Sequence, residues 1–326
     1  MASLIERAAT VGDEMGKGRL DQVAARVFPE FSRARLQDWI RSGALLVDGR
    51  AAKQRDAVGP GAQLSISAEL EVEVSWSAQA MPLNVLYEDE QLLVIDKPAG
   101  LVVHPGAGNH TGTLVNALLN HRPELESVPR AGIVHRLDKD TSGLLVVAAT
   151  LEAHHDLVSQ MQRRDVHRDY FAIVRGCPSG GGKVDAPIGR HPRQRTRMAV
   201  VPRSGKPAVT HYRVAQRFAH FTALNVSLET GRTHQIRVHM AHRGFPLLGD
   251  PVYGGRAYLP AGCSDSLKAT LQALQRQALH ARRLSFAHPG SGEQREFESP
   301  LAADLLALLE VLEREDGSAG AAPLGA

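Results

Sequence analysis

Apolar residues recur at helical spacing near the start of the chain. Leu20, Val23, Ala24 and Val27 share one face, and Leu36, Trp39 and Ile40 share another, which predicts two short helices. Pro29 separates them, Ser32 is placed to cap the second, and Ser42-Gly43 ends it. The pattern then changes. Leu45, Leu46 and Val47 run into Asp48-Gly49, a dipeptide that favours a tight hairpin turn. A second turn signal at Gly59-Pro60-Gly61 precedes the alternating Leu64 and Ile66. Together these predict a compact helix–helix–hairpin module within residues 16–75, behind a flexible lead-in at 1–15.

From residue 83 the apolar positions gather into short runs instead. Leu92-Leu93-Val94-Ile95, Gly143 to Ala149 and Tyr170 to Val174 read as buried strands, and Leu224, Val226 and Leu228 alternate as a half-buried one. Helical spacing returns at 111–120, 151–164, 233–243 and 301–314, the last with Leu305, Leu308, Leu309 and Leu312 on one face. Gly180-Gly181-Gly182 reads as a hairpin loop. Many strands with few helices, and no regular βαβ alternation, predict an α+β fold. A large domain with a mostly antiparallel mixed sheet is expected over 83–315, beside the small α/β module. Residues 76–82 read as a linker and the Gly- and Ala-rich stretch 316–326 as a disordered tail.

Charge changes this picture more than composition does. Residues 17–56 hold nine Lys/Arg against five Asp/Glu, and residues 163–217 hold thirteen against three. Residues 69–96 carry seven acidic residues and no Lys or Arg. Two basic regions flanking an acidic connector are the electrostatic footprint of a polyanion binder. In the small module the basic residues Arg33, Arg35, Arg41, Arg50 and Lys53 gather around the second helix and the hairpin. No apolar run approaches the ~20 residues that span a bilayer, and Glu6, Arg7, Asp13 and Glu14 interrupt any secretory leader. Two cysteines, Cys177 and Cys263, make neither a disulfide framework nor a zinc spacing. The expectation is a cytosolic, monomeric protein with no membrane partner.

Three segments of the large domain set polar groups against the start of a strand or helix. They are His135-Arg136-Leu137-Asp138 with Thr141-Ser142-Gly143, then Arg168-Asp169-Tyr170, then Thr230 to His239. Asp is common in turns for conformational reasons alone, so Asp138 by itself says little. In an extended loop residues two apart face the same way, which pairs Arg136 with Asp138 and turns Leu137 inward. Fifteen histidines raise the question of a metal, but His154-His155 and His239 with His242 lack the accompanying ligands. There is no phosphate-binding loop, dinucleotide fingerprint or serine nucleophile elbow. No cofactor and no metal are therefore expected.

These segments resemble the signature of the RluA family of RNA pseudouridine synthases. Lys97-Pro98-Ala99-Gly100 with His104-Pro105-Gly106, Gly249 to Gly255, and Gln277 to Ala281 followed by His288-Pro289 resemble further family segments, in family order. The small module is similar to the S4 RNA-binding module at Arg19, Leu20, Asp21, Ser32, Arg33, Gly43, Val47, Asp48 and Gly49.

The resemblance implies a cofactor-free isomerase that converts uridines of 23S ribosomal RNA to pseudouridine, those of the helix 69 hairpin foremost. The partner it implies is 23S rRNA within the large subunit or a late assembly precursor. It makes Asp138 the essential carboxylate, attacking C6 or C1′ or acting by elimination, with Arg237 as its ion-pair partner. Tyr170 is expected to stack on the flipped uracil and Arg136 to fill the vacated base stack. His135, Arg232, His234, Gln235 and Leu279 are expected to contact RNA or the flipped base. Arg33, Arg35, Arg41 and Lys53 are expected to serve the S4 module. Two other classes stay open on residues alone: an inert RNA-binding assembly factor and a histidine-based metal hydrolase. Within the family, an enzyme acting on other 23S uridines also stays open.

Overall fold

A computed structural model describes residues 3–29, 31, 33–70, 76–106, 109, 111–194, 196–255 and 258–319. The chain divides into two compact units, Met1–Ser75 and Trp76–Ala326.

The first unit runs β1 (Ser3–Thr10), β2 (Gly18–Arg19), α1 (Leu20–Val27), α2 (Arg33–Ser42), β3 (Leu45–Val47), β4 (Arg50–Ala51), β5 (Ala57–Val58) and β6 (Gln63–Leu70). The order β1-β6-β3-β4 forms one sheet, and β2 pairs with β5. Both helices form where apolar spacing predicted them. They bury Leu20, Val23, Ala24, Leu36, Trp39 and Ile40 against Leu45, Leu64 and Ile66. At the hairpin tip Asp48 and Gly49 both take positive φ, 50° and 73°, as a two-residue loop matched to strand twist requires. Ser32, the expected cap of α2, lies outside the described residues.

The lead-in expected at 1–15 is instead largely a strand. β1 pairs along its whole length with β6, Ser3 opposite Leu70 and Thr10 opposite Gln63. Its signal is faint because Ile5 and Ala9 are its half-buried contributions to the core, and the partner lies far along the chain.

The second unit begins with β7 (Val85–Glu88), β8 (Leu92–Lys97), α3 (Leu114–His121), β9 (Ser142–Ala148), α4 (Leu151–Arg163) and β10 (His167–Arg175). It continues with β11 (Gly182–Asp185), β12 (Ile188–Arg190), β13 (Met198–Val200), β14 (Val209–Arg217), β15 (Phe221–Leu228) and α5 (Gln235–His242). It closes with α6 (Asp265–Ala273), β16 (Leu279–Ala287), β17 (Gln294–Glu298) and α7 (Ala303–Ala319). Nine strands form one sheet in the order β11-β14-β15-β10-β16-β9-β8-β7, with β17 added to β16. Every pairing in it is antiparallel except β16 with β9, as the α+β reading expected.

The continuous apolar runs of β8 and β9 follow from burial on both faces. Leu93, Ile95, Leu145 and Val147 join the core that also holds α3 and the start of α5. Leu92, Val94, Leu144 and Val146 join a separate core with Ala153 and Leu157 of α4. A third core gathers Phe171, Ile173 and Phe221 with Leu305, Leu308 and Leu312 of α7.

Three further expectations change, and one helix is unforeseen. Residues 76–82 belong to the second unit rather than to a linker. Trp76 packs against its core, and buried Asn116 donates to Ser77 C=O at 2.8 Å and accepts, through its backbone, from Gln79 N–H at 2.9 Å. A buried amide needs such partners. The tail expected from 316 starts later, because α7 runs to Ala319 with Asp316 accepting the Ala219 N–H at 3.1 Å; residues 320–326 lie outside the described residues. Gly180 to Gly182 do not close a hairpin, since β11 starts at Gly182 and pairs with β14. Helix α6 was not anticipated because only Leu267 is buried in it.

Candidate active site

Asp138 sits in a loop tied down at almost every residue. Before it, His135 Nε2 accepts the Val146 N–H at 3.1 Å and Leu137 is buried. After it, the Lys139 carbonyl accepts from Lys97 Nζ and from the Gly100 N–H, at 2.9 and 3.0 Å. The Asp140 carbonyl accepts from Arg276 Nη1 at 3.2 Å, and Thr141 Oγ1 accepts from Gln277 Nε2 at 3.0 Å. Arg276 is itself anchored by both oxygens of Asp304 in α7, at 2.7 and 2.8 Å. Ser142 Oγ meets His280 Nδ1 at 2.9 Å, where β9 joins β16.

Gly143 makes that junction possible. Its φ is 110°, and a β-carbon there would lie 2.2 Å from the Ala281 carbonyl oxygen. Lys97 is wholly buried, and burial pushes its ammonium down to about 7, against the opposing pull of Asp140 and Asp138. Its other two acceptors are the Pro98 and Leu101 carbonyls at 2.8 and 2.9 Å. The Lys97-Pro98-Ala99-Gly100 segment therefore braces the Asp138 loop from behind.

The charge partner arrives from α5. Arg237 Nη1 donates to Asp138 Oδ2 at 3.1 Å. Its other edge is clamped by Asp250, through Nε at 2.7 Å and Nη2 at 2.9 Å. Burial alone would weaken the guanidinium's charge, but the two carboxylates outweigh it and strengthen its hold on the proton. Asp250 is buried yet held below the usual carboxylate range by Arg237 and the N–H groups of Tyr253 and Val252. A bidentate clamp fixes the guanidinium plane, so the direction in which Arg237 meets Asp138 is set before any ligand arrives.

His234 precedes α5 with φ 57°. Its Nδ1 lies 2.8 Å from the Tyr253 hydroxyl and its Nε2 3.9 Å from Asp138 Oδ1. Tyr253 Oη also accepts the Met198 N–H at 3.0 Å. The guanidinium groups of Arg197 and Arg237 lie over the Tyr253 ring, 5.2 and 5.0 Å from its centroid.

Asp138, His234 and Arg237 line one cleft of about 570 Å³, within the usual range of small-ligand sites. Tyr170 forms part of its wall; burial raises the phenol above its ordinary value and the nearby Asp138 adds to this. Arg136 is exposed at the cleft, Leu137 points inward, and Leu279 and Ile236 supply apolar wall. The expected alternation about Asp138 is present.

Of the expected RNA contacts, the cleft gathers Arg136, His135, Arg232, His234, Gln235 and Leu279. Two of them are occupied inside the protein. Gln235 Oε1 accepts from Thr230 and from the Arg232 N–H, while Nε2 donates to Val209 C=O and Thr210 Oγ1. That fills all four places of its amide. His135 is kept neutral, its pKa pushed down to about 3 by burial and by the charge of Arg168. Arg232 keeps its guanidinium at the cleft, with Nε donating to Pro207 C=O at 3.0 Å.

In the first unit, buried Asp21 draws Arg19 Nε at 3.0 Å and Arg33 Nη2 and Gln37 Nε2 at 2.7 Å. Burial would raise its carboxyl, but these donors hold it far below the usual range. Arg33 is thus an internal brace while remaining half-exposed. Arg41 pairs with Asp38, Arg35 is half-buried and Lys53 is exposed.

Sequence reasoning had not singled out Asp250, Tyr253, Lys97, Arg276 or Arg168 as site residues. Asp250 and Tyr253 stood in the Gly249–Gly255 segment, whose proximity to Arg237 only the fold reveals. Among the described residues no group of His, Cys, Asp and Glu is arranged to hold a metal ion. His239 is buried between Thr210 Oγ1 and the Ala186 carbonyl, at 2.8 and 2.9 Å.

Comparison with known proteins places the chain in a family. The RNA pseudouridylate synthase family matches residues 91–242 and the S4 domain family residues 18–64. A protein of Pseudomonas aeruginosa named ribosomal large subunit pseudouridine synthase D is 58% identical, over 97% of this chain and 98% of its own. The Escherichia coli K12 protein of the same name is 51% identical over 96% of each. The solved structure of human RNA pseudouridylate synthase domain containing 4 superposes with a TM-score of 0.55 at 27% identity, covering 71% of this chain and 93% of that one. With an anchored carboxylate facing a cleft and this likeness over nearly its whole length, the chain belongs to the family of RNA pseudouridine synthases that carry an S4 domain.

Proposed function

We propose that this enzyme isomerises uridines of 23S ribosomal RNA, those of the helix 69 hairpin, and that Asp138 is the catalytic carboxylate. The names of the relatives support the large ribosomal subunit as the source of the substrate; helix 69 is what the resemblance of the motifs implies. The observation that carries the chemistry is the Arg237–Asp138 contact of 3.1 Å, in a cleft walled by Tyr170.

The reaction breaks the bond from uracil N1 to ribose C1′ and makes one from C5 to C1′. N1 gains a proton and C5 loses one, so nothing is oxidised and no group is consumed. Addition of the carboxylate to C6, attack at C1′ and elimination at the sugar all begin from ionised Asp138. Arg237 donates to that charge, and Asp250 prevents it from turning away.

Tyr170 is suited to stacking beneath the uracil. Burial raises its phenol, so a free phenolate is costly at neutral pH, and its part in the C5 proton transfer is relay through the hydroxyl rather than standing as a base. A paired base must leave its stack first, at a few kcal/mol. Exposed Arg136 stands beside Asp138, and its guanidinium plane is fit to occupy the gap.

Asp138→Asn is nearly isosteric and removes the charge. Incubated with large-subunit RNA from a strain lacking this enzyme, it is expected to form no pseudouridine detectable by carbodiimide adducts and primer extension, while wild type marks helix 69. Wild-type-level modification by the variant would overturn the assignment of Asp138. Wild-type marks elsewhere in 23S rRNA, and none in helix 69, would overturn the target.

A further inference from the structure

Arg168 has no part in the chemistry above, yet it is placed expensively. It lies one turn of the pleat before Tyr170 on β10, nine-tenths buried, and it lines the Asp138 cleft. Its Nε is sealed from solvent with no hydrogen-bond partner.

The carboxylates that line the same cleft are engaged elsewhere. Asp138 is paired with Arg237, and Glu229 with Arg164 and His211. Among the described residues, none stands within ion-pair distance of Arg168. Room is kept around the guanidinium: a β-carbon at Gly231 would come within 2.8 Å of Nη1. A buried cation without a counter-charge is unfavourable in the free protein. Its neighbours do not repair this, since His135 is neutral and its Nδ1 is also buried without a partner.

We infer that Arg168 is the seat of a phosphate: the guanidinium awaits the phosphodiester that flanks the flipped uridine, and binding supplies the missing anion. This rests on the reading of the cleft as the uridine site. Guanidinium and phosphate are geometrically matched, each bond charge-assisted and here shielded from water. The contact would fix the backbone of the extruded nucleotide relative to Asp138 while reading no sequence.

The test uses full-length protein carrying Asp138→Asn and the hairpin RNA that wild type modifies, with methylphosphonate in place of the phosphate 5′ or 3′ to the target uridine. Neutralising one of these two phosphates is expected to weaken binding by about tenfold or more. Adding Arg168→Gln is expected to weaken binding of the unmodified hairpin to a similar degree and to abolish the response to methylphosphonate. The slope of log K against log salt should also fall by about 0.7–0.9. Arg168→Lys, which keeps the charge, should restore the response in part.

A residue that merely holds the fold would lower the thermal midpoint when replaced, whereas the glutamine variant should melt at or above the parent because an uncompensated charge is gone. If neither neutral linkage weakens binding to the parent, the phosphate seat is wrong whatever the variants do. The same holds if the loss on neutralisation persists undiminished in Arg168→Gln. If wild type modifies no large-subunit RNA, the functional reading and this inference fall together; if it modifies the hairpin and the linkages are silent, only this inference falls.

Discussion

His135 serves the Asp138 loop by staying uncharged. Its Nε2 accepts the Val146 N–H, which a protonated ring cannot do. Its folded pKa of about 3 lies below the ordinary 6.5, so the unfolded chain takes up the proton first. The stability it contributes is complete above about pH 6.5 and is lost as pH falls toward 3, at no more than ~1.4 kcal/mol per pH unit. His135→Gln keeps a hydrogen-bond acceptor and removes the titration. Urea midpoints measured between pH 7 and 4 should therefore fall less steeply for the variant, and parallel curves would refute the assignment. His135 and Gln235 were both expected to face RNA. Their residue types suit a bound nucleotide and an internal bracket equally well, and only the partners found across the fold separate the two.

At the scale of elements, the site depends on where β9 meets β16. Their parallel contact is short, His280 with Ser142 and Ala281 with Gly143, yet it aligns the loop of Asp138 with the segment that carries Arg276, Gln277 and Leu279. Gly143→Ala is expected to lower the unfolding free energy by more than ~2 kcal/mol, because the added methyl meets backbone and φ of 110° suits glycine. Equilibrium urea unfolding measures it; a loss below ~0.5 kcal/mol would show that the junction relaxes freely. Strand β16 had no clear sequence signal, for a local reason. Arg282 and Arg283 are exposed in mid-strand, and the ladder shifts register between Asp169 and Tyr170 opposite them. A bulge of this kind breaks the two-residue period. The uniformly apolar β8 and β9 were legible because both their faces are buried.

For the whole molecule, each unit has its own core. That of Met1–Ser75 is built from α1, α2 and its sheet, and every group around Asp138 comes from Trp76–Ala326. Removing residues 1–75 should leave a cooperatively folding enzyme that still isomerises a saturating hairpin RNA. Its affinity should drop roughly ten- to a hundredfold, since one of two linked binding modules is gone. Filter binding and turnover on the truncated protein decide this, and a folded but inactive truncation would count against the division of labour.

The chain's own pattern determined the helices of the first unit, the Asp48-Gly49 turn, the doubly buried strands and the segments that hold the chemistry. These are local matters of period, turn conformation and residue type. Asp138, Tyr170 and Arg237 were picked out through the motifs around them, and the fold brings all three to one cleft. Only the tertiary structure decided their partners. Arg237 reaches Asp138 from 99 positions away, Asp250 fixes the guanidinium plane, and Arg276 and Lys97 brace the loop. It also left Arg168 buried without an anion. Whether a charged side chain is a surface group, a brace or an open socket depends on what burial brings beside it, and spacing along the chain does not encode that.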